Sequence, residues 1–277
     1  MRTGAVALPR TAWPGAAASV LGAALLAWVV MVRQMSAMEM SVPGRAPSLA
    51  EAASFTGQWG VMMAAMMLPG AAPMILLYRT VSRRLAGAGD RVLPAPLFAA
   101  VYLLLWLVAG VPVYGAYVAM GWMAGRWPAF HAATPYAVAA VLAAAGAYQF
   151  TAAKRACLRQ CESPMEFLMR RWRSGYAATV GLAARHGAYC IGCCWGLMAI
   201  LVAGGAMSLP WVAGITLVVF AEKVLPNAWW TARAVGAALL LLALAVALRP
   251  ELAGTLRGHD AHEMAHPISH RDTEAQR

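Results

Sequence analysis

The stretch His186-Gly-Ala-Tyr-Cys190-Ile-Gly-Cys193-Cys194-Trp195-Gly-Leu-Met198 runs without a break into the apolar residues 199–206. At helical periodicity His186, Cys190, Cys193 and Cys194 fall at i, i+4, i+7 and i+8, on one stripe of one helix. Neutral imidazole and thiolates are ligands for zinc and copper(I). Gly192 and Gly196 form a small-xxx-small pair that lets another helix approach closely. A plain packed helix lined by small, soft residues would account for one cysteine. Three cysteines and a histidine on one stripe point instead to a metal site.

The helix carrying that stripe is one of several apolar runs. Hydrophobic residues make up 61% of the chain and charged residues 12%, about half the ~25% of a soluble domain. Several runs reach the ~20 residues that span a bilayer. The expected fold is therefore all-α: a polytopic transmembrane helix bundle in a lipid bilayer, with no separate soluble domain. The expected spans are about seven, at residues 16–32, 57–78, 97–123, 135–153, 187–207, 210–224 and 228–248. The count falls to six if the short sixth is re-entrant. Residues 1–15 form an N-terminal tail, 16–248 the transmembrane metal-binding domain, and 249–277 a polar, His-bearing C-terminal tail. The basic, amphipathic stretch 154–185 reads as an interfacial helix.

The net charge of +11 raises nucleic acid as a partner. The basic residues instead flank the apolar runs, which is the pattern of membrane topology. They concentrate in 79–91 and 154–185, so these loops and the N-terminus are expected in the cytoplasm and the C-terminus outside. A re-entrant sixth span would bring the tail back inside. The multi-pass chain then sits in the inner, cytoplasmic membrane of a bacterium. In this orientation all five cysteines lie near the cytoplasmic face, where thiols stay reduced, and the methionine clusters lie toward the outer face. A disulfide framework is not expected from an odd cysteine count.

Met62, Met63, Met66 and Met67 make two i, i+4 pairs on adjoining faces of the second span. Thioether is an uncharged ligand that suits copper(I) and can sit in lipid without burying a charge. Methionine is equally a flexible core filler. Met35, Met38 and Met40 lie in a polar outer loop beside Glu39. Cys157 and Cys161 share a helical face next to Lys154, Arg155 and Arg159. They are placed to complete the site begun by the three later cysteines, or to receive metal from it. Neighbouring residues on a rigid helix diverge, so all four groups of the stripe are not expected to close on one ion. The expected site is Cys190 and Cys193, with Cys194 or His186 third and Cys157 or Cys161 contributing from the interfacial helix. Two or three thiolates satisfy copper(I), whereas structural zinc takes four ligands. Copper(I) is thus the expected ion, with zinc as the alternative.

Glu222 and Lys223 end an apolar span, and they read as an ion pair with each other or with Arg233. Together with Trp195 they are candidates to support the ligands from behind. His259, His262, His266 and His270 recur at three- and four-residue spacing in the tail and read as a weak metal collector or plain polar chain. No Walker loop, dinucleotide fingerprint, metalloprotease helix or kinase set is present, so an enzyme is not expected.

These motifs carry a family resemblance. Trp59…Met62-Met63-Ala-Ala-Met66-Met67-Leu-Pro69, Tyr148-Gln149-Phe-Thr-Ala-Ala-Lys154-x-x-Cys157-x-x-x-Cys161, the Cys190–Cys194 stretch and Glu222-Lys223 resemble the bacterial predicted metal-binding integral membrane protein family, domain of unknown function 2182. The resemblance implies metal binding in a membrane domain over about residues 55–240. Three functions fit: a copper transporter or membrane chaperone working with a metal-donor or acceptor protein, a membrane thiol-disulfide oxidoreductase, and a structural assembly factor.

Overall fold

A computed structural model describes residues 13–35, 48–85, 95–203, 209–225 and 228–257. The outer-loop methionines Met38 and Met40, the His-bearing tail and most of the N-terminal tail lie outside the described residues. The described chain is all-helical: α1 (Trp13–Met35), α2 (Leu49–Leu85), α3 (Ala95–Arg126), α4 (Pro128–Tyr148), α5 (Ala152–Glu162), α6 (Pro164–Arg171), α7 (Tyr176–Ala203), α8 (Leu209–Val224), α9 (Ala228–Leu248) and α10 (Leu252–Arg257).

Five helices are long and apolar enough to cross a membrane: α1, α2, α3, α7 and α9. A sixth crossing arises if α4 and α5, bent by 65° at the break between them, form one broken span. The architecture is thus a polytopic bundle of five to six spans rather than about seven. The shortfall lies at α8, whose 16 residues fall below the ~20 that cross a bilayer.

The helix boundaries follow local chemistry. α2 begins at a reciprocal capping box: Ser48 N–H donates to Glu51 Oε2 at 2.8 Å, and Glu51 N–H to Ser48 Oγ at 3.2 Å. On α3, Phe98, Tyr102, Trp106 and Gly110 recur every fourth residue and form the buried stripe. Gly110 is required there, because a Cβ would meet the Trp59 ring at 2.5 Å. Trp59 Nε1 donates across the same contact to the Trp106 carbonyl at 2.7 Å. α4 and α9 meet at Gly146 and Gly236, where a Cβ on either would lie 3.0 Å from opposing backbone.

The expectation of a single helix over 154–185 does not hold. The segment divides into α5, α6 and the first three turns of α7, and it buries Lys154, Leu158, Phe167, Leu168, Leu182 and Ala183. Two features draw it inward. Thr151 caps α5 by accepting from Lys154 N–H at 3.2 Å, fixing the sharp bend after α4. Gly192 then admits α5 against α7 so closely that a Cβ there would sit 2.7 Å from Cys157 Sγ. Gly196 does the same for α4, with Tyr148 and Ala145 at 3.4 and 3.6 Å.

Candidate metal centre

α7 presents His186, Cys190, Cys193, Cys194 and Leu197 on its buried face, as the helical spacing requires. The ligand atoms of Cys190, Cys193 and Cys194 lie within 4.8 Å of one another, which makes them a group able to hold a metal ion. Cys193 Sγ and Cys194 Sγ are 3.3 Å apart. Adjacent residues therefore converge here, against the expectation that they diverge: side-chain rotation swings the two sulfurs together although their Cα–Cβ bonds point apart. Cys161 Sγ on α5 approaches Cys193 Sγ at 3.9 Å. Cys157, one turn earlier, lies against Gly192.

The cluster lies deep. Cys190 is 14 residues from Tyr176 and 13 from Ala203 at the ends of α7, about 20 Å from either end at ~1.5 Å per residue. It is thus at mid-length of the helix, because α7 starts eleven residues earlier than the apolar run read from sequence.

Polar groups from four other helices surround the sulfurs and their backbone. Tyr102 OH on α3 and Lys223 Nζ on α8 each lie 3.0 Å from Cys190 Sγ. Lys154 Nζ donates to the Cys193 carbonyl at 2.6 Å and to Glu222 Oε2 at 2.6 Å. Gln149 Nε2 donates to the other carboxylate oxygen at 3.1 Å. Tyr148 OH donates to the Gly192 carbonyl at 2.6 Å. Glu222 therefore pairs with Lys154, neither with its neighbour Lys223 nor with Arg233. Residues 222 and 223 project to different sides of α8, and the Arg233 guanidinium sits over the rings of Trp230, Phe150 and Trp229. A buried ion pair needs its remaining lone pairs and protons satisfied: here Gln149 donates to the carboxylate and the Cys193 carbonyl accepts from the ammonium.

His186 is buried one turn before Cys190, outside the three-sulfur group. Its ring is boxed by Phe98, Tyr102 and Phe167 at 6.0, 5.8 and 5.5 Å between centroids. Its Nδ1 has no hydrogen-bond partner among the described residues. Trp195 does not stand behind the site. It lies on the opposite face of α7, 48% exposed, edge-on to Tyr148 at 4.9 Å.

Met62, Met63, Met66 and Met67 are all buried, on both faces of α2 that the sequence pairs define. Met67 has a polar link toward the cysteines, its Sδ lying 4.0 Å from Lys223 Nζ. Lys223 thus touches both Met67 Sδ and Cys190 Sγ, linking one methionine of α2 to the cysteines of α7.

Tyr102, Lys154 and Gln149 were not among the candidates drawn from composition and spacing. Tyr102 reads as one more aromatic in an apolar run. Lys154 reads as a cytoplasmic flank. The signal that marks Lys154 is its place as the first cation after an apolar run, with a cysteine three residues on. The donor set is soft, buried and backed by a cation, and it suits a soft cation such as copper(I).

No curated protein and no solved structure matches the chain. A family model described as PpoB2, copper chaperone, matches residues 56–246. That segment contains every helix contributing to the sulfur cluster, and it covers well over half of the 277 residues. The chain therefore belongs to the PpoB2 copper chaperone family.

Proposed function

We propose that the protein is a non-catalytic membrane chaperone that holds copper(I) on Cys190 and Cys193, with Cys194 as third ligand, and hands it to an acceptor protein. The observation that carries this reading is the convergence of three buried sulfurs within 4.8 Å. Membership of a copper chaperone family supports it. Two or three thiolates satisfy copper(I) and leave zinc short of its usual four ligands. Cys161, 3.9 Å from Cys193 Sγ, is placed as the group to which an ion moves as it leaves. Met67 offers a neutral thioether on the other side of the cluster. The setting is the cytoplasmic membrane of a bacterium. With α4 and α5 together as one broken span and α8 too short to cross, the six crossings put both termini in the cytoplasm.

The test is the metal content of the full chain purified in detergent after growth with copper, beside a variant with Cys190, Cys193 and Cys194 all changed to Ser. About one copper per wild-type chain and none in the triple variant is expected. Equal copper in both would remove the cluster from the function.

The sulfur spacing favours one second reading. Cys193 lies 3.3 Å from Cys194 Sγ and 3.9 Å from Cys161 Sγ, within reach of thiol-disulfide exchange after a small movement. A reversible Cys161–Cys193 disulfide in metal-free protein, with no copper in the purified wild type, would favour the oxidoreductase.

A further inference from the structure

Lys223 is placed unlike any other cation in the described bundle. Its stem crosses α2 at Gly70, where a Cβ would sit 3.0 Å from Lys223 Cδ and 3.4 Å from Nζ. The ammonium then reaches Cys190 Sγ at 3.0 Å and Met67 Sδ at 4.0 Å. The other charged groups at the cluster neutralise one another: Lys154 and Glu222 form a fully buried pair at 2.6 Å. The partners found for Lys223 are sulfurs rather than a carboxylate.

We propose that Lys223 determines specificity, selecting a monovalent soft cation over a divalent one at the Cys190–Cys193–Cys194 cluster. The inference rests on the reading of that cluster as the copper(I) site. Whatever the number of thiolates at the cluster, the Lys223 ammonium beside Cys190 Sγ adds one positive charge to the setting that receives the ion. That added charge penalises a divalent ion more than a monovalent one where net charge is expensive. The ammonium also repels a divalent ion twice as strongly as a monovalent ion at the same distance. Met67, being uncharged, adds a soft ligand without altering the charge of the cluster. The substrate class is therefore soft monovalent cations, which includes silver(I) beside copper(I).

The experiment uses the full chain in detergent. Copper(I), silver(I) and zinc(II) affinities are measured by chelator competition for wild type, Lys223→Met and Gly70→Ala. Lys223→Met removes the charge at similar side-chain length. Gly70→Ala keeps the charge and pushes the stem away. Lys223→Met should lower the ratio of copper(I) to zinc(II) affinity by at least about tenfold, with silver(I) following copper(I). Gly70→Ala should shift the ratio the same way by less. A purely structural role would weaken all three ions alike and leave the ratio fixed. An unchanged ratio in both variants, while wild type binds copper(I), overturns the role of Lys223 and leaves the copper site standing. No copper(I) binding by wild type overturns both.

Discussion

The sulfurs of α2 and those of α7 are equally buried, but only one set is surrounded by polar groups. The thioethers of Met62, Met63 and Met66 belong to the apolar core. The thiols of α7 are approached by a phenol, an ammonium and a second thiol-bearing helix, and their backbone is held by Lys154. Burying polar groups is worthwhile in a core only where each finds a partner. Evolved packing alone would have no need of Lys154, Glu222, Gln149 and Lys223 around one helix. The contrast separates sulfurs in apolar surroundings from sulfurs in polar ones, with Met67 at the border between them.

The largest way to break this contrast is to unbalance the buried pair. Lys154→Met leaves Glu222 an uncompensated buried charge and should destabilise the protein by about 3–5 kcal/mol. The double variant Lys154→Met with Glu222→Gln should recover most of that loss, as a double-mutant cycle on thermal unfolding in detergent would register. Additive losses would show that the two groups are not coupled. Next in size is the close approach of α5. Gly192→Ala drives a methyl to 2.7 Å from Cys157 Sγ, and overpacking of this kind costs about 1–3 kcal/mol. Adding Cys157→Ala should restore most of the stability without loss of copper(I) binding, since Cys157 packs rather than ligates. Weaker copper(I) binding in that double variant would return Cys157 to the site. The smallest effect belongs to the methionine band. Met62→Leu with Met66→Leu nearly conserves volume and should cost under about 1.5 kcal/mol. Copper(I) affinity should hold while the rate of copper loading falls. An unchanged loading rate would reduce the band to packing.

What could be read from the sequence was what depends on local periodicity. His186, Cys190, Cys193 and Cys194 share a stripe because they share a helix, and the all-helical bundle follows from run length and composition. What could not be read depends on contacts between distant residues. Lys154 meets Glu222 across 68 residues, and Tyr102 meets Cys190 across 88. A basic residue after an apolar run looks the same whether it flanks a membrane or turns inward. The bend at Thr151 and the absence of a side chain at Gly192 decide between these, and neither announces its partner. The same limit explains the depth of the site. Arg185 lies on the exposed side of α7, so it does not end the helix where charge alone implied.

The central claim is that Cys190 and its neighbours bind copper(I) in preference to zinc. The most direct measurement is copper(I) titration of wild type and Cys190→Ser against a competing chelator, with zinc titrated in parallel. A hydroxyl is a poor ligand for a soft ion, so Cys190→Ser should abolish high-affinity copper(I) binding, and wild type should hold copper(I) more tightly than zinc. Undiminished copper(I) binding by Cys190→Ser, or tight zinc binding by wild type with no preference for copper(I), would contradict the account.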